Sequence, residues 1–282
     1  MVEILFTSEI NGDFMKTKFL IFLCFVFFLV GALSSDAYQH SDYEIIKKLR
    51  KCNRQIDRKP ESAKLYIQRG YLHFLIGNYN DALSDYEFAK EYEPKNSDIY
   101  YSIGKLQYVL KNYDNSLENY TQAIHLKPKD AKSYVGRGLV KETCGNYKGA
   151  IEDYTLAIKH DKRYTKAYVN RGVTKDKMKD YIGALEDYEK ALKIDKYAAD
   201  AHYNRGLTLC KLERYDEAIN DYNAAIELNC YYELAYYNRG LTYMILKKYE
   251  KAYKDMLKAV DINPKNKNAR EILIELQDYV VE

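Results

Sequence analysis

Apolar residues recur at helical spacing through residues 63–266, and the pattern as a whole returns at one fixed interval. Six glycines mark the register: Gly70, Gly104, Gly138, Gly172, Gly206 and Gly240. Four positions before each glycine stands a ring: Tyr66, Tyr100, Tyr134, Tyr168, His202 and Tyr236. Nine positions after it stands Tyr79, Tyr113, Tyr147, Tyr181, Tyr215 or Tyr249. A small residue comes three further on (Ala82, Ser116, Ala150, Ala184, Ala218, Ala252), and a bulky one four after that (Tyr86, Tyr120, Tyr154, Tyr188, Tyr222, Met256). An alanine then closes the pattern at Ala89, Ala123, Ala157, Ala191, Ala225 and Ala259. This is the spacing of helix faces, not the alternation of strands. Gly77-Asn78, Lys111-Asn112 and Gly145-Asn146 separate two apolar stretches within a repeat and predict turns. Each repeat is thus predicted to be an antiparallel helix pair that cannot bury its own apolar face, so that stacking of repeats supplies the core. A mid-helix glycine costs about 1 kcal/mol relative to alanine, a cost that fits two helices approaching closely.

The ends follow the same register. Residues 42–56 form one helical run before Pro60, and Pro60 lies one full period before Pro94. The run therefore takes the place of a second helix, and 38–62 reads as an N-terminal half-repeat. Six repeats follow at 63–96, 97–130, 131–164, 165–198, 199–232 and 233–266. Residues 267–282, with a helix from Asn268 to Tyr279, suit a C-terminal cap.

Pro94, Pro128 and Pro264 end three of the repeats. Together with the large-to-glycine spacing and the alanine-to-aromatic spacing, they make residues 63–266 resemble the tetratricopeptide repeat family. Two features depart from its pattern. Arg precedes the glycine in five repeats where the family usually has Leu, and the third, fourth and fifth repeats lack the closing Pro. The resemblance implies an all-α fold, a right-handed solenoid of helix pairs in one elongated domain, and a non-catalytic role in binding a protein or peptide segment. It also implies that first helices line a concave face. The inward positions would then be Asn170, Asn204 and Asn238, beside Tyr101, Val169, Tyr203 and Tyr237. Further along lie Tyr71, Lys105, Tyr108, Asp176, Lys177, Lys211 and Met244. An asparagine ladder can both donate to and accept from a peptide backbone, and tyrosine adds contact area at low entropic cost. Some members of the family hold a carboxylate tail with a clamp of Lys, Asn and Arg. Here those positions hold Val135, Leu139, Asn170, Asp200 and Asn204, so a cytosolic chaperone-tail adaptor is not predicted.

The arginines carry a second pattern. Arg69, Arg137, Arg171, Arg205 and Arg239 are each followed sixteen residues later by Asp85, Asp153, Asp187, Asp221 and Asp255. The second repeat loses both partners at once, with Ile103 and Asn119 in their places. An Arg–Asp pair within each of five repeats is the expectation, structural in role and able to reach a neighbouring repeat.

Composition narrows the function. Net charge is +3 with both signs interspersed and no Lys/Arg run, so nucleic acid is not an expected partner. The five histidines, His40, His73, His125, His160 and His202, show no metal-ligand spacing, and His202 stands where the other repeats have Tyr. No phosphate loop, nucleophile elbow or paired-carboxylate motif is present, and neither catalysis nor a cofactor or metal is predicted. Cys52, Cys144, Cys210 and Cys230 are spaced unlike a disulfide framework. Met15-Lys16-Thr17-Lys18, the uncharged run Phe19 to Leu33 and the small residues after it read as a secretory signal within 1–35. Residues 1–14 carry three acidic residues and no basic one, which points to Met15 as the start. Export to a periplasm or the exterior follows, with an uncleaved membrane anchor as the alternative. Asn119-Tyr120-Thr121 matches a glycosylation sequon. The functional expectation is an interaction scaffold. A membrane-anchored assembly factor and an accessory subunit of an enzyme or secretion complex are the alternatives.

Overall fold

A computed structural model describes residues 43–280; the candidate signal, His40 and the ends of the chain lie outside the described residues. The described residues form fourteen helices and no strand. The backbone falls into two compact blocks, one ending at Pro94 and one starting at Lys95. The N-terminal block holds α1 (43–58), α2 (Ala63–Leu75) and α3 (Tyr79–Tyr92). The C-terminal block holds α4 (Ser97–Val109), α5 (Tyr113–Leu126), α6 (Ala131–Thr143), α7 (Tyr147–His160), α8 (Thr165–Lys177) and α9 (Tyr181–Ile194). It continues with α10 (Ala199–Lys211), α11 (Tyr215–Leu228), α12 (Glu233–Ile245), α13 (Tyr249–Ile262) and α14 (Lys267–Val280).

The turn inside each repeat has one recurring geometry. Gly77, Lys111, Gly145, Lys179, Glu213 and Lys247 stand at the same position of successive repeats, and all six have positive φ, between 57° and 80°. The next residue's N–H reaches back five positions to a helix carbonyl, as in Asn78 to His73 at 2.9 Å, Asp180 to Lys175 at 2.9 Å and Lys248 to Tyr243 at 2.8 Å. This is the Schellman ending, in which a left-handed residue lets the chain satisfy its last carbonyls and reverse. Between repeats, proline is one stop and a side-chain turn is another. In the three repeats without the closing Pro, the carboxylate or amide oxygen of Asp161, Asp195 and Asn229 accepts the N–H two residues on, at 2.9, 3.0 and 3.0 Å. Such Asx turns break a helix without proline.

The repeat glycines are contact points. A Cβ placed on Gly172 would lie 2.6 Å from Cε1 of Tyr188, and one on Gly138 would lie 2.7 Å from the same atom of Tyr154. Tyr86, Tyr222 and Met256 crowd Gly70, Gly206 and Gly240 in the same way. The bulky residue of the second helix therefore lies across the bare backbone of the first. Tyr154, Tyr188 and Tyr222 are fully buried in this position, and the alanines on either side of them are buried completely. Burial pushes these three phenols well above their ordinary pKa.

In the C-terminal block each first helix packs on its own second helix (α4 on α5, α6 on α7, and onward), and each second helix packs on the next first helix. Neighbouring first helices also approach one another directly: α4 and α6, α6 and α8, α8 and α10, α10 and α12. The core is consequently a chain of clusters, one at Tyr134, Tyr154 and Ala167, one at Leu209, Tyr222 and Ala235, and one at Met256, Ala269 and Leu276. All four described cysteines are free thiols.

Candidate interaction face

An arginine precedes the repeat glycine in five repeats, and in four of them three groups fix it. In the fourth repeat, Arg171 donates from Nε to Asp187 at 2.9 Å and from Nη2 to the other carboxylate oxygen at 2.6 Å. The same two-pronged bond joins Arg69 to Asp85, Arg137 to Asp153, Arg205 to Asp221 and Arg239 to Asp255. All five aspartates are buried. The remaining Nη1 reaches sixteen residues back, into the preceding second helix, to Asn53, Thr121, Thr155 or Asn223 at 2.5–3.3 Å. Four of the guanidinium groups also lie 5.5–5.8 Å from the ring three residues earlier, Tyr66, Tyr134, Tyr168 or Tyr236, a cation–π distance. One residue type thus ties two helices of its own repeat and one of the previous repeat.

The fifth repeat departs from this scheme. The residue sixteen before Arg205 is Glu189, and no Nη1 bond forms there; a cavity of about 240 Å³ lies among Glu189, Arg205, Arg214 and Asp221. His202 supplies no platform for Arg205. Its Nδ1 instead lies 2.9 Å from Asp221 and its Nε2 lies 3.2 Å from the Lys196 carbonyl. His202, which stands where the other repeats have Tyr, thus adds a second grip on the carboxylate.

The face of the first helices combines three rows. Residues three and four apart share a helix face, so Asn170, Val173 and Asp176 of α8 align, as do Asn204, Leu207 and Cys210 of α10, and Asn238, Leu241 and Met244 of α12. The acidic row is bonded between repeats. Glu142 accepts from Tyr154 at 3.0 Å, from Thr174 of the next repeat at 2.8 Å and from Lys177 at 2.6 Å. Asp176 repeats the arrangement with Thr208 at 2.7 Å and with Lys211. In the next repeat Cys210 contacts Thr242 at 3.2 Å without an ion pair, and Ile245 takes the lysine position. Tyr108 meets Thr143 at 3.1 Å at the equivalent junction one step earlier. Bonding to Glu142 holds Lys177 above the usual ammonium range.

The expected inward residues accordingly differ in availability. Lys177 and Lys211 serve as bridges between repeats rather than free cations. Tyr203 is buried beside Tyr222 and Tyr232, which pushes its hydroxyl up to about 12, and that oxygen accepts from Asn238 at 3.1 Å. Tyr101 is half-buried and packs edge-on to Tyr120; burial raises its pKa. Tyr237 and Met244 pack on the Met256 and Leu276 cluster. Asn204 and Asn238 donate to their own helix, at the carbonyls of Asp200 and Leu234. Asn170 makes no side-chain hydrogen bond within the described residues, and Lys105 is exposed. Tyr71, half-exposed, belongs to the N-terminal block.

One row escaped the sequence reading. The residue after the glycine is Leu139, Val173, Leu207 and Leu241, all partly exposed. Tyr71 and Lys105 hold the same position in the first two repeats, so the aliphatic row begins only at the third. Among the described residues no group of His, Cys, Asp or Glu is placed to hold a metal ion.

Profiles described as tetratricopeptide repeat match residues 67–131, 131–164, 165–197, 199–229 and 233–266. No curated protein sequence matches. Among solved structures, a chain of the APC/C hetero-tetramer Cut9–Hcn1 aligns with a TM-score of 0.73 at 20% identity, over 82% of this chain and 46% of that one. This chain therefore spans about half the length of that relative. The Pseudomonas aeruginosa protein pilF aligns with a TM-score of 0.66 at 19% identity, over 77% of this chain and 98% of its own. YrrB, titled a TPR protein with an unusual peptide-binding site, aligns with a TM-score of 0.51 at 23% identity, over 68% and 97%. At these identities the likeness is one of fold.

Proposed function

Because the chain belongs to the tetratricopeptide repeat family, we propose that it is a non-catalytic interaction scaffold whose first-helix face in the C-terminal block binds an extended segment of a partner protein. The observation that carries this reading is the partly exposed aliphatic row Leu139, Val173, Leu207 and Leu241, flanked by Asn170, Asn204 and Asn238. Apolar side chains of a segment would cover the row, and the amide oxygens of the asparagines would accept its backbone N–H groups. The acid–lysine rungs on the other flank neutralise themselves, which favours a segment of low charge. YrrB, which shares the fold, carries a peptide-binding site by its title. Export through the segment at 19–33 belongs to the same proposal and rests on the sequence alone.

Selection from a displayed peptide library against the full chain tests the reading. Enriched apolar peptides should lose about tenfold or more in affinity for Leu207→Lys, and a comparable amount for the triple variant Asn170→Ala, Asn204→Ala, Asn238→Ala, as expected when a central contact is removed. Peptides that bind both variants as well as the parent would move the interface off this face and favour an accessory subunit acting through its second helices.

A further inference from the structure

Two cavities of about 440 and 460 Å³ open side by side in the N-terminal block between α1 and α2, sharing Gln55 and Gln68. Five cations line them: Lys48, Lys51, Arg58, Lys59 and Lys64. No carboxylate lines either cavity, and none of the five cations forms an ion pair within the described residues. The floor is apolar, with Leu65 in one cavity and Leu72 in the other. Four of the five cations come from one stretch that is basic in the sequence itself, Lys47-Lys48-Leu49-Arg50-Lys51 onward, which the near-neutral charge of the whole chain conceals. Residues 43–59 hold seven Lys/Arg against Glu44 and Asp57, a net +5 in a chain of net +3.

The repeat register explains why this face is open among the described residues. Lys48, Lys51, Cys52 and Gln55 stand one full period before Ala82, Asp85, Tyr86 and Ala89. In α3 those four are all buried, covered by a first helix. The second-type helix α1 has no first helix of its own among the described residues, and three of its four equivalents are long, polar and exposed. A buried alanine has become a lysine, and the aspartate that would receive an arginine has become another.

We propose that this cleft docks an acidic, helix-forming segment of a partner protein, seated where the first helix of a complete repeat would lie. Carboxylates of the segment would pair with Lys48, Lys51 and Lys64, Gln55 and Gln68 would meet its polar groups, and its apolar side chains would cover Leu65 and Leu72. A concave site with an apolar floor suits a side-chain-bearing segment better than a flat bilayer or a phosphate backbone. A second copy of this chain is a poor occupant. Its last described first-type helix, α14, would present Arg270, Leu273 and Ile274 at the facing positions, which sets a cation against cations.

Fluorescence anisotropy on the full chain, with a labelled helix-forming peptide of Glu, Leu and Ala, tests the site. A twin peptide with Gln for every Glu is the charge control. The acidic peptide should bind at low salt and weaken as salt rises. Lys48→Glu, Lys51→Glu, Lys64→Glu together should weaken it by about tenfold or more. The exposed triple Lys148→Glu, Lys190→Glu, Lys254→Glu carries the same charge change elsewhere and should leave binding within about twofold. Should the reversal at α1 and α2 disturb folding by circular dichroism, the Lys→Gln version at the same positions gives the same reading. Absence of binding, equal binding of the Gln twin, or equal loss in the control triple would overturn the proposal. So would single-stranded RNA or phosphatidylserine vesicles that bind the parent more tightly than the peptide and lose that binding in the α1–α2 variant.

Discussion

Asp221 and Asp255 occupy the same position in successive repeats, yet their surroundings move them in opposite directions. Burial raises the pKa of both carboxyls. At Asp221 the hydrogen bonds from His202 and Arg205 outweigh it, and the net shift is downward. At Asp255 only Arg239 opposes burial, and the net shift is upward. The two aspartates therefore link to stability with opposite sign. Asp221 contributes stability that is present above the unfolded carboxyl value, about 3.9, and lost as pH falls through its lower folded value. Asp255 contributes in the opposite sense, with stability lost as pH rises from the unfolded value through its higher folded value. Carboxyl carbon NMR should show Asp221 titrating below Asp255. In His202→Tyr, which restores the ring of the other repeats, Asp221 should move up toward Asp255. An unchanged Asp221 titration in that variant would show that the imidazole contributes nothing to the ion pair.

At the scale of the helix pair, the turn carries a cost that differs between repeats. Gly77 and Gly145 take the left-handed position without a Cβ, while Lys111, Lys179, Glu213 and Lys247 hold the same backbone with one. A non-glycine residue there costs about 1–2 kcal/mol, partly offset by the greater freedom that glycine gives the unfolded chain. Lys179→Gly should therefore stabilise the chain by roughly 0.5–1 kcal/mol, read as a higher urea midpoint at unchanged slope. A lower midpoint would mean that Lys179 makes a contact outweighing its backbone strain. These turns also show what the sequence could disclose. The helix pairs were legible because the repeat glycine, the crowding tyrosine and the small residue recur together, and one unfavourable glycine repeated six times has few explanations other than close packing. The Arg–Asp register was legible for the same reason. The left-handed lysines were hidden, since Lys111, Lys179 and Lys247 resemble surface lysines until the backbone is seen. The inner face was read only in part. Lys177, Lys211 and Tyr203 look like free polar groups in sequence, and their partners lie 35 residues away in a neighbouring repeat.

At the scale of the whole molecule, a stack of repeats is stabilised by terms within each repeat and between neighbours, so a defect at one junction need not reach the others. Glu142 sits at such a junction in the C-terminal block. It is buried and receives Tyr154 from its own repeat and both Thr174 and Lys177 from the next. Glu142→Ala would remove the acceptor for all three donors. Thr174 retains the Asn170 carbonyl at 2.9 Å, whereas the Tyr154 hydroxyl is left in the core without the carboxylate that receives it. Loss of a buried acceptor of this kind costs about 1–3 kcal/mol, more where a charge is left behind. If the block behaves as a one-dimensional stack, amide protection in α6, α7 and α8 should fall by about 2 kcal/mol in hydrogen exchange followed by mass spectrometry. Protection in α12 and α13, two repeats away and joined through Cys210 and Thr242 rather than an ion pair, should stay within about 0.5 kcal/mol of the parent. A uniform loss from α4 to α14 would show instead that the block opens only as one cooperative body. A segment bound along Leu139 to Leu241 would then face an all-or-none scaffold, with no repeat able to adjust independently to its ligand.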